Sequence, residues 1–204
     1  MAIYGILGDI HGNREALASA LAYLGDRGVD RVLCVGDIVG YNADPDECVS
    51  MLRSRGAACI AGNHDLIGTG LLGFERCSNK AMHSLKRTRR ALAPATIAWL
   101  RALPPHRVLE ERFLLTHGGV RDVQQYMTRP RHFLENAQYL RREGTLGLGA
   151  WLASILKSRN VYNVFAWSDH GPWLRFWSQR FTRRAARGGG RVIGMVRQWR
   201  STAS

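Results

Sequence analysis

Gly8-Asp9-Ile10-His11-Gly12-Asn13 places a carboxylate and an imidazole two residues apart, between glycines, after the apolar run Ala2–Leu7. In an extended segment, residues i and i+2 point the same way. Asp9 and His11 are therefore expected to aim at one point, and the glycines let a ligand approach the backbone. A carboxylate with an imidazole begins a divalent-metal site rather than a nucleophile triad. Further ligand types follow other short apolar runs: Asp37 in Gly36-Asp37-Ile38-Val39-Gly40, Asn63 and His64 in Gly62-Asn63-His64-Asp65, and His117 in Thr116-His117-Gly118-Gly119. Singly, a Gly-Asp pair reads as a turn, and a histidine after a strand as structural. Together they fall at strand ends, and open α/β sheets bind ligands outside the carboxyl ends of their strands. Carboxylates, imidazoles and one amide oxygen suit Mn, Fe, Zn or a similar divalent ion such as Ni or Mg, and not a thiolate-loving metal. A carboxylate such as Asp37 can bridge two ions, and two ions about 3.5–4 Å apart can clamp a phosphate and supply a nucleophile at neutral pH. His64 is suited to steady phosphoryl oxygens or to protonate a leaving group. No G-x-x-x-x-G-K-[ST] loop is present.

The elements that must position these residues are legible in part. Arg14 to Leu24 reads as a helix, with Asn13 as its N-cap and Leu17, Leu21 and Leu24 at helical spacing. Arg31–Val35 reads as a second strand. Asp44-Pro45-Asp46-Glu47 opens a second helix with Asp44 as the cap and Pro45 at its first position. Ala57–Ala61 reads as a third strand, so the order is strand, helix, strand, helix, strand. That order predicts a largely parallel sheet. Gly68–Gly73 reads as a loop, and Ser78 to about Leu92 and Pro94–Leu103 as helices. Arg107–Leu109 and Arg112–Thr116 read as strands joined by a tight turn at Glu110-Glu111, and Arg131–Arg142 as a helix. Beyond Gly144, Asn160–Ala166 and Arg191–Val196 are candidate strands.

Length and composition favour one domain with a sizeable core. No apolar run approaches the ~18 residues of a membrane helix, and the first residues lack a signal peptide's basic start and apolar run. The expectation is a cytoplasmic protein. Cys34, Cys48, Cys59 and Cys77 form no C-x-x-C pair and read as reduced thiols, with Cys34 and Cys59 in core strands. The net charge is +13, but it is unevenly spread. Residues 146–204 hold 10 Lys and Arg against one acid, Asp169, and five of the six tryptophans, while all four cysteines lie before residue 146. The composition changes sharply near residue 145.

The four motifs, in this order, resemble those of the calcineurin-like metallophosphoesterase superfamily, and its small prokaryotic phosphodiesterase branch in particular. The resemblance covers roughly residues 1–145, read as the metallophosphoesterase core. It implies an α/β fold (α+β by some schemes) in which two mixed β-sheets pack as a sandwich flanked by helices. It implies a dinuclear site: Asp9 and His11 on the first metal, Asp37 bridging, Asn63 and His117 on the second, and His64 as the catalytic histidine. An acid would orient His64, and Asp65 is one possibility, local solvation the other. The implied activity is metal-dependent hydrolysis of phosphate esters, phosphodiesters first.

The departure lies at the end. The family closes its site with Gly-His-x-His after one more strand, and this sequence has no such motif. The nearest stretch is Phe165-Ala166-Trp167-Ser168-Asp169-His170-Gly171-Pro172. There His170 falls at the second histidine and Ser168 replaces the first, leaving His170 as a tentative ligand. Residues 146–204 should complete the fold but depart from the family pattern, through divergence or through a disrupted reading frame. Two alternative functions follow: an inactive or metal-deficient binding protein, and a nucleic-acid binder using Arg180, Arg183, Arg184, Arg187 and Arg191 with interleaved aromatics. A basic tail that binds polyanions without specificity is the simpler account of the arginines. His83, His106 and His132 have no motif and read as structural.

Overall fold

The computed structural model describes residues 4–109, 113–127, 129–142, 150–158, 161–167 and 194–196. In chain order the elements are β1 (Tyr4–Leu7), α1 (Arg14–Asp26), β2 (Arg31–Cys34), α2 (Pro45–Ser54), β3 (Ala58–Cys59), α3 (Asn63–Gly68) and α4 (Asn79–Ala91). There follow α5 (Pro94–Arg101), β4 (His106–Leu109), β5 (Phe113–His117), α6 (Pro130–Arg142), β6 (Ala150–Ser158), β7 (Val161–Trp167) and β8 (Gly194–Val196).

The strands form two four-stranded sheets. In the first, ordered β3-β2-β1-β8, the three leading strands run parallel and β8 runs antiparallel to β1. In the second, ordered β4-β5-β6-β7, β5 and β6 are parallel and the outer pairs antiparallel. Both sheets are mixed, as the resemblance implies. The strands alternate accordingly. Tyr4, Ile6, Leu33, Val35 and Ile60 pack with Leu115 and Leu109 of the second sheet in the layer between the sheets. Leu7, Val32, Cys34 and Cys59 point the other way, into a core with Leu17, Ala20 and Leu24 of α1, Val49 and Leu52 of α2 and Leu100 of α5. The first sheet is thus buried on both faces, which is why its strands read as continuous apolar runs.

Local chemistry explains the helix starts. Asn13 Oδ1 accepts the Ala16 N–H at 3.0 Å, and Ser78 Oγ accepts the Ala81 N–H at 3.2 Å. Asp44 precedes α2, with Pro45 in the first turn, but its side chain makes no capping hydrogen bond. The carboxylate two residues on, Asp46, accepts the Ala93 N–H at 3.2 Å and ties α2 to the start of α5.

Two elements differ from expectation. The Gly62-Asn63-His64-Asp65 motif is not a strand-end loop: residues 63–68 wind into the short helix α3, and Gly68 belongs to it. At six residues, it shows no apolar period. The strand β6, Ala150–Ser158, has no counterpart in the sequence reading, because AWLASILKS fits buried strand and buried helix equally well. The turn expected at residues 110–111 lies outside the described residues. Among the described residues no helix is long and apolar enough to cross a membrane.

Candidate metal centre

Asp9, His11, Asp37, Asn63, His64 and His117 come together beyond the carboxyl ends of β1, β2, β3 and β5. These strand ends lie along a seam between the sheets, since β5 belongs to the second sheet. All but Asn63 are buried, and Asn63 is half-buried.

The way Asp9 and His11 converge differs from expectation. Neither is extended: Asp9 and His11 both have φ 53°, and Asp37 has φ 55°. Non-glycine residues in this left-handed region are uncommon and cost about 1–3 kcal/mol each, a cost that clusters at functional sites. Cross-loop hydrogen bonds hold the strained backbone. Asp9 N–H donates to Gly36 O at 3.0 Å, His11 N–H to Asp37 O at 2.9 Å and Gly12 N–H to Ile38 O at 2.8 Å. The second and third motifs approach as closely. A Cβ on Gly62 would overlap the backbone nitrogen and carboxylate of Asp37, and one on Gly36 would overlap the backbone of Gly62.

Asp37 is the centre. Its Oδ2 lies 3.8 Å from His11 Nε2, and its Oδ1 lies 3.4 Å from His117 Nε2. Oδ1 also accepts the His64 N–H at 2.8 Å. Asp9 Oδ1 lies 3.8 Å from His11 Nε2, and Asn63 Oδ1 lies 3.1 Å from His117 Nε2. Both imidazoles turn Nε2 toward the centre because the other nitrogen is committed. His117 Nδ1–H donates to Val35 O at 2.7 Å and His11 Nδ1–H to Val39 O at 3.3 Å, which fixes the tautomer as such partners do for metal-ligating histidines.

The electrostatics match this packing. Burial pushes the Asp37 carboxyl up, but His117, His64 and His11 outweigh it and hold it well below the usual carboxylate range. Burial pushes His117 down, while the charge and hydrogen bond of Asp37 pull it up to about 10. His11 is lowered, chiefly by burial and with His64 adding to it, against the pull of Asp37 and Asp9. A protonated His117 thus supplies the positive charge the buried carboxylates require.

The residues fit divalent ions. Two groups, Asp9–Asp37–His117 and His11–Asp37–His64, each have candidate ligand atoms within 4.8 Å of one another. Asp37 belongs to both, and the donors are oxygen and imidazole nitrogen, as hard and borderline cations require. Among the described residues no cysteine belongs to either group, and Cys34 and Cys59 are partners in the β2–β3 register.

Asp65, for which the sequence left orientation of His64 or local solvation open, is buried among backbone donors. Its Oδ1 accepts the N–H groups of Ile38 and Val39 at 2.9 and 3.0 Å, and its Oδ2 accepts the Gly62 N–H at 2.9 Å. It clamps the loop after β2 to the start of α3. Burial, then the charge of Asp37, pushes its carboxyl up to about 7 against those donors. The strand expected before the final motif is present as β7, but Ser168 and His170 lie outside the described residues.

Gly40 and Tyr41 were not anticipated from the sequence. Tyr41 has φ 55°, and its ring centroid lies 4.8 Å from both His11 and His64. A glycine–aromatic pair carries no chemical signature by itself, so only the left-handed backbone reveals it. On the far side, a small cleft beside Asn63 and His117 is lined by Gly118, Val123, Gln124, Gln125 and Tyr126.

The chain is similar to known proteins. It is 44% identical over 70 residues to an uncharacterized protein of Methanocaldococcus jannaschii, a stretch covering 34% of this chain and 28% of that one. Among solved structures, a metallophosphoesterase from Sphaerobacter thermophilus matches with TM-score 0.57 and 28% identity, over 67% of this chain and 56% of that one. A hypothetical protein from Pyrococcus horikoshii OT3 shares the fold with TM-score 0.63 at 18% identity, over 76% of this chain and 69% of its own. The chain thus matches little more than half the length of the Sphaerobacter protein and about a quarter of the Methanocaldococcus one. The family model for calcineurin-like phosphoesterases matches residues 4–194, past the point where the composition changes and from β1 to the first residue of β8, and on that match the chain belongs to the calcineurin-like phosphoesterase family.

Proposed function

We propose that this chain hydrolyses phosphate esters, phosphodiesters in particular, with two divalent ions held by Asp9, His11, Asp37, Asn63 and His117. The observation that carries the reading is the posture of Asp37, which turns one carboxylate oxygen toward His11 and the other toward His117. That is the posture of a bridge between two ions. Asp9 and His11 would complete one side, and Asn63 and His117 the other. By its place in the sequence after β7, His170 would add to the first.

When bound, such ions polarise the phosphoryl group and supply a nucleophile at neutral pH. The chain's own groups do the rest. His11 and His117 donate Nδ1–H to backbone carbonyls, so Nε2 is the nitrogen each would turn to an ion, His117 giving up its Nε2 proton as the ion's charge replaces its own. Asn63 contributes a neutral oxygen, which limits the negative charge repelling a phosphodiester. His64, whose N–H is anchored on Asp37, stands beside the donor cluster to steady the phosphoryl oxygens and protonate the departing oxygen. Mn²⁺ is the favoured ion, and a cytoplasmic setting the favoured location.

The test is hydrolysis of bis(p-nitrophenyl) phosphate in Mn²⁺. Asp37→Asn keeps the shape of the bridge and removes its charge, and the rate should fall by more than the ~100-fold that outer-shell losses produce. Unchanged turnover in that variant sinks the reading. A second reading, a metal-deficient binding protein, is favoured by the missing Gly-His-x-His. Metal analysis separates the two: two ions per chain with turnover supports hydrolysis, and fewer without turnover supports binding.

A further inference from the structure

Tyr41 is in no donor group, yet its conformation is costly. Its φ of 55° is a left-handed value in a residue with a large side chain. The preceding Gly40, at φ 99°, is left-handed too. A Cβ at Gly40 would lie 2.6 Å from His64 Nδ1, so that edge of the imidazole packs on bare backbone. The Tyr41 ring closes another side, with centroids 4.8 Å apart and planes at 44°. His11 closes a third, at 4.6 Å and 58°, and meets Tyr41 edge-on at 80°. The backbone around Tyr41 is pinned from both directions. Arg87 of α4 donates from Nη2 to Tyr41 O at 3.0 Å, and Asn42 donates its N–H and Nδ2–H to His11 O at 3.0 and 2.9 Å.

We propose that Tyr41 is a positioning residue, which with Gly40 holds the His64 imidazole in one orientation beside the donor cluster. The inference rests on the reading of His64 as the group that serves the leaving oxygen. Three rings in mutual contact, two of them on strained or pinned backbone, leave the third little freedom to turn. A loose His64 does little harm when the leaving group departs unaided. It does great harm when the leaving oxygen needs a proton. The role of Tyr41 therefore shows in the contrast between leaving groups rather than in the overall rate.

The experiment compares bis(p-nitrophenyl) phosphate, a good leaving group, with a phenyl phosphodiester, a poor one, in wild type, Tyr41→Leu and Tyr41→Phe. Tyr41→Leu should lower kcat for the phenyl ester by about 10–100-fold and that for the nitrophenyl ester far less. Tyr41→Phe keeps the ring and should recover most of the loss. Tyr41→Gly relieves the backbone strain, so it folds even if Tyr41→Leu does not, and it should show the same contrast. A second arm uses metal-free protein labelled at histidine, with the His64 signals assigned through His64→Asn. Wild type should show one χ1 rotamer for His64, and Tyr41→Leu and Tyr41→Gly an average of several. Equal loss on both esters, or an unchanged His64 rotamer, overturns the inference. A wild-type chain that turns over neither ester overturns the hydrolase reading instead, and the rotamer arm then decides the role of Tyr41 alone.

Discussion

Single residues here are defined by what burial does to their chemistry. Asp37, His117 and Asp65 are buried ionisable groups that persist because each is answered, Asp37 by histidines, His117 by Asp37, and Asp65 by three backbone N–H groups. An isolated charge at any of these positions would be strongly destabilising. The cysteines show the opposite case. A hydrogen bond with Cys59, then burial, pushes the Cys34 thiol well above its ordinary range, and burial raises Cys48 to about 12. Cys77 alone is half-buried, with a smaller rise from burial and then Glu75. The thiolate is the reactive form. At pH 8 a thiol reagent should therefore titrate one cysteine per native chain, Cys77, and all four after denaturation; fast reaction of Cys34 or Cys48 in the native state would contradict the packing. At this scale the sequence was most legible. The identities of Asp9, His11, Asp37, Asn63, His64 and His117 mark a candidate metal site, because few other chemistries need those types beside glycine. The task of Asp65 was not legible, since a carboxylate that clamps loops looks in sequence like one that orients a neighbour.

At the scale of elements, the site depends on loops from separate crossovers approaching within contact distance. Gly36 and Gly62 permit it by having no side chain to place between the loops. Gly62→Ala should therefore separate Asp37 from Asn63. The expected result is a loss of about 1–3 kcal/mol in urea unfolding and at least ~10-fold weaker Mn²⁺ binding by titration calorimetry. Wild-type values in this variant would mean that the loops approach less closely than described. The crossovers themselves could be read from sequence: α1 and α2 fall where apolar spacing, Asn13 and Pro45 put them. What escaped was set by tertiary packing. The short α3 has no period to detect. The strand β6 is defined by its place between β5 and β7 rather than by its own residues.

On the scale of the whole molecule, the candidate donors come from both sheets, Asp9, His11, Asp37 and Asn63 from segments that follow strands of the first and His117 from the second. Metal that binds this arrangement and not the unfolded chain stabilises the entire fold. With Mn²⁺ at 100 times its dissociation constant the gain is about 2.7 kcal/mol, or roughly 5–10 °C in Tm for a chain of this size. Scanning calorimetry with Mn²⁺ and with chelator checks this, and the shift should vanish in Asp37→Asn. The two-sheet frame itself was legible only through the resemblance, because β6, β7 and β8 come from the segment whose basic, tryptophan-rich composition departs from the rest. The left-handed backbones of Asp9, His11, Asp37 and Tyr41 carry a last consequence, for selection rather than for chemistry. At these four positions the residue present is not the one that the backbone prefers. Glycine there removes the conformational penalty, so a library screened for thermal resistance alone should enrich glycine at Tyr41 and His11, and one screened for turnover should purge it. A fitness map of this chain would then mark its working centre as the place where the two screens disagree.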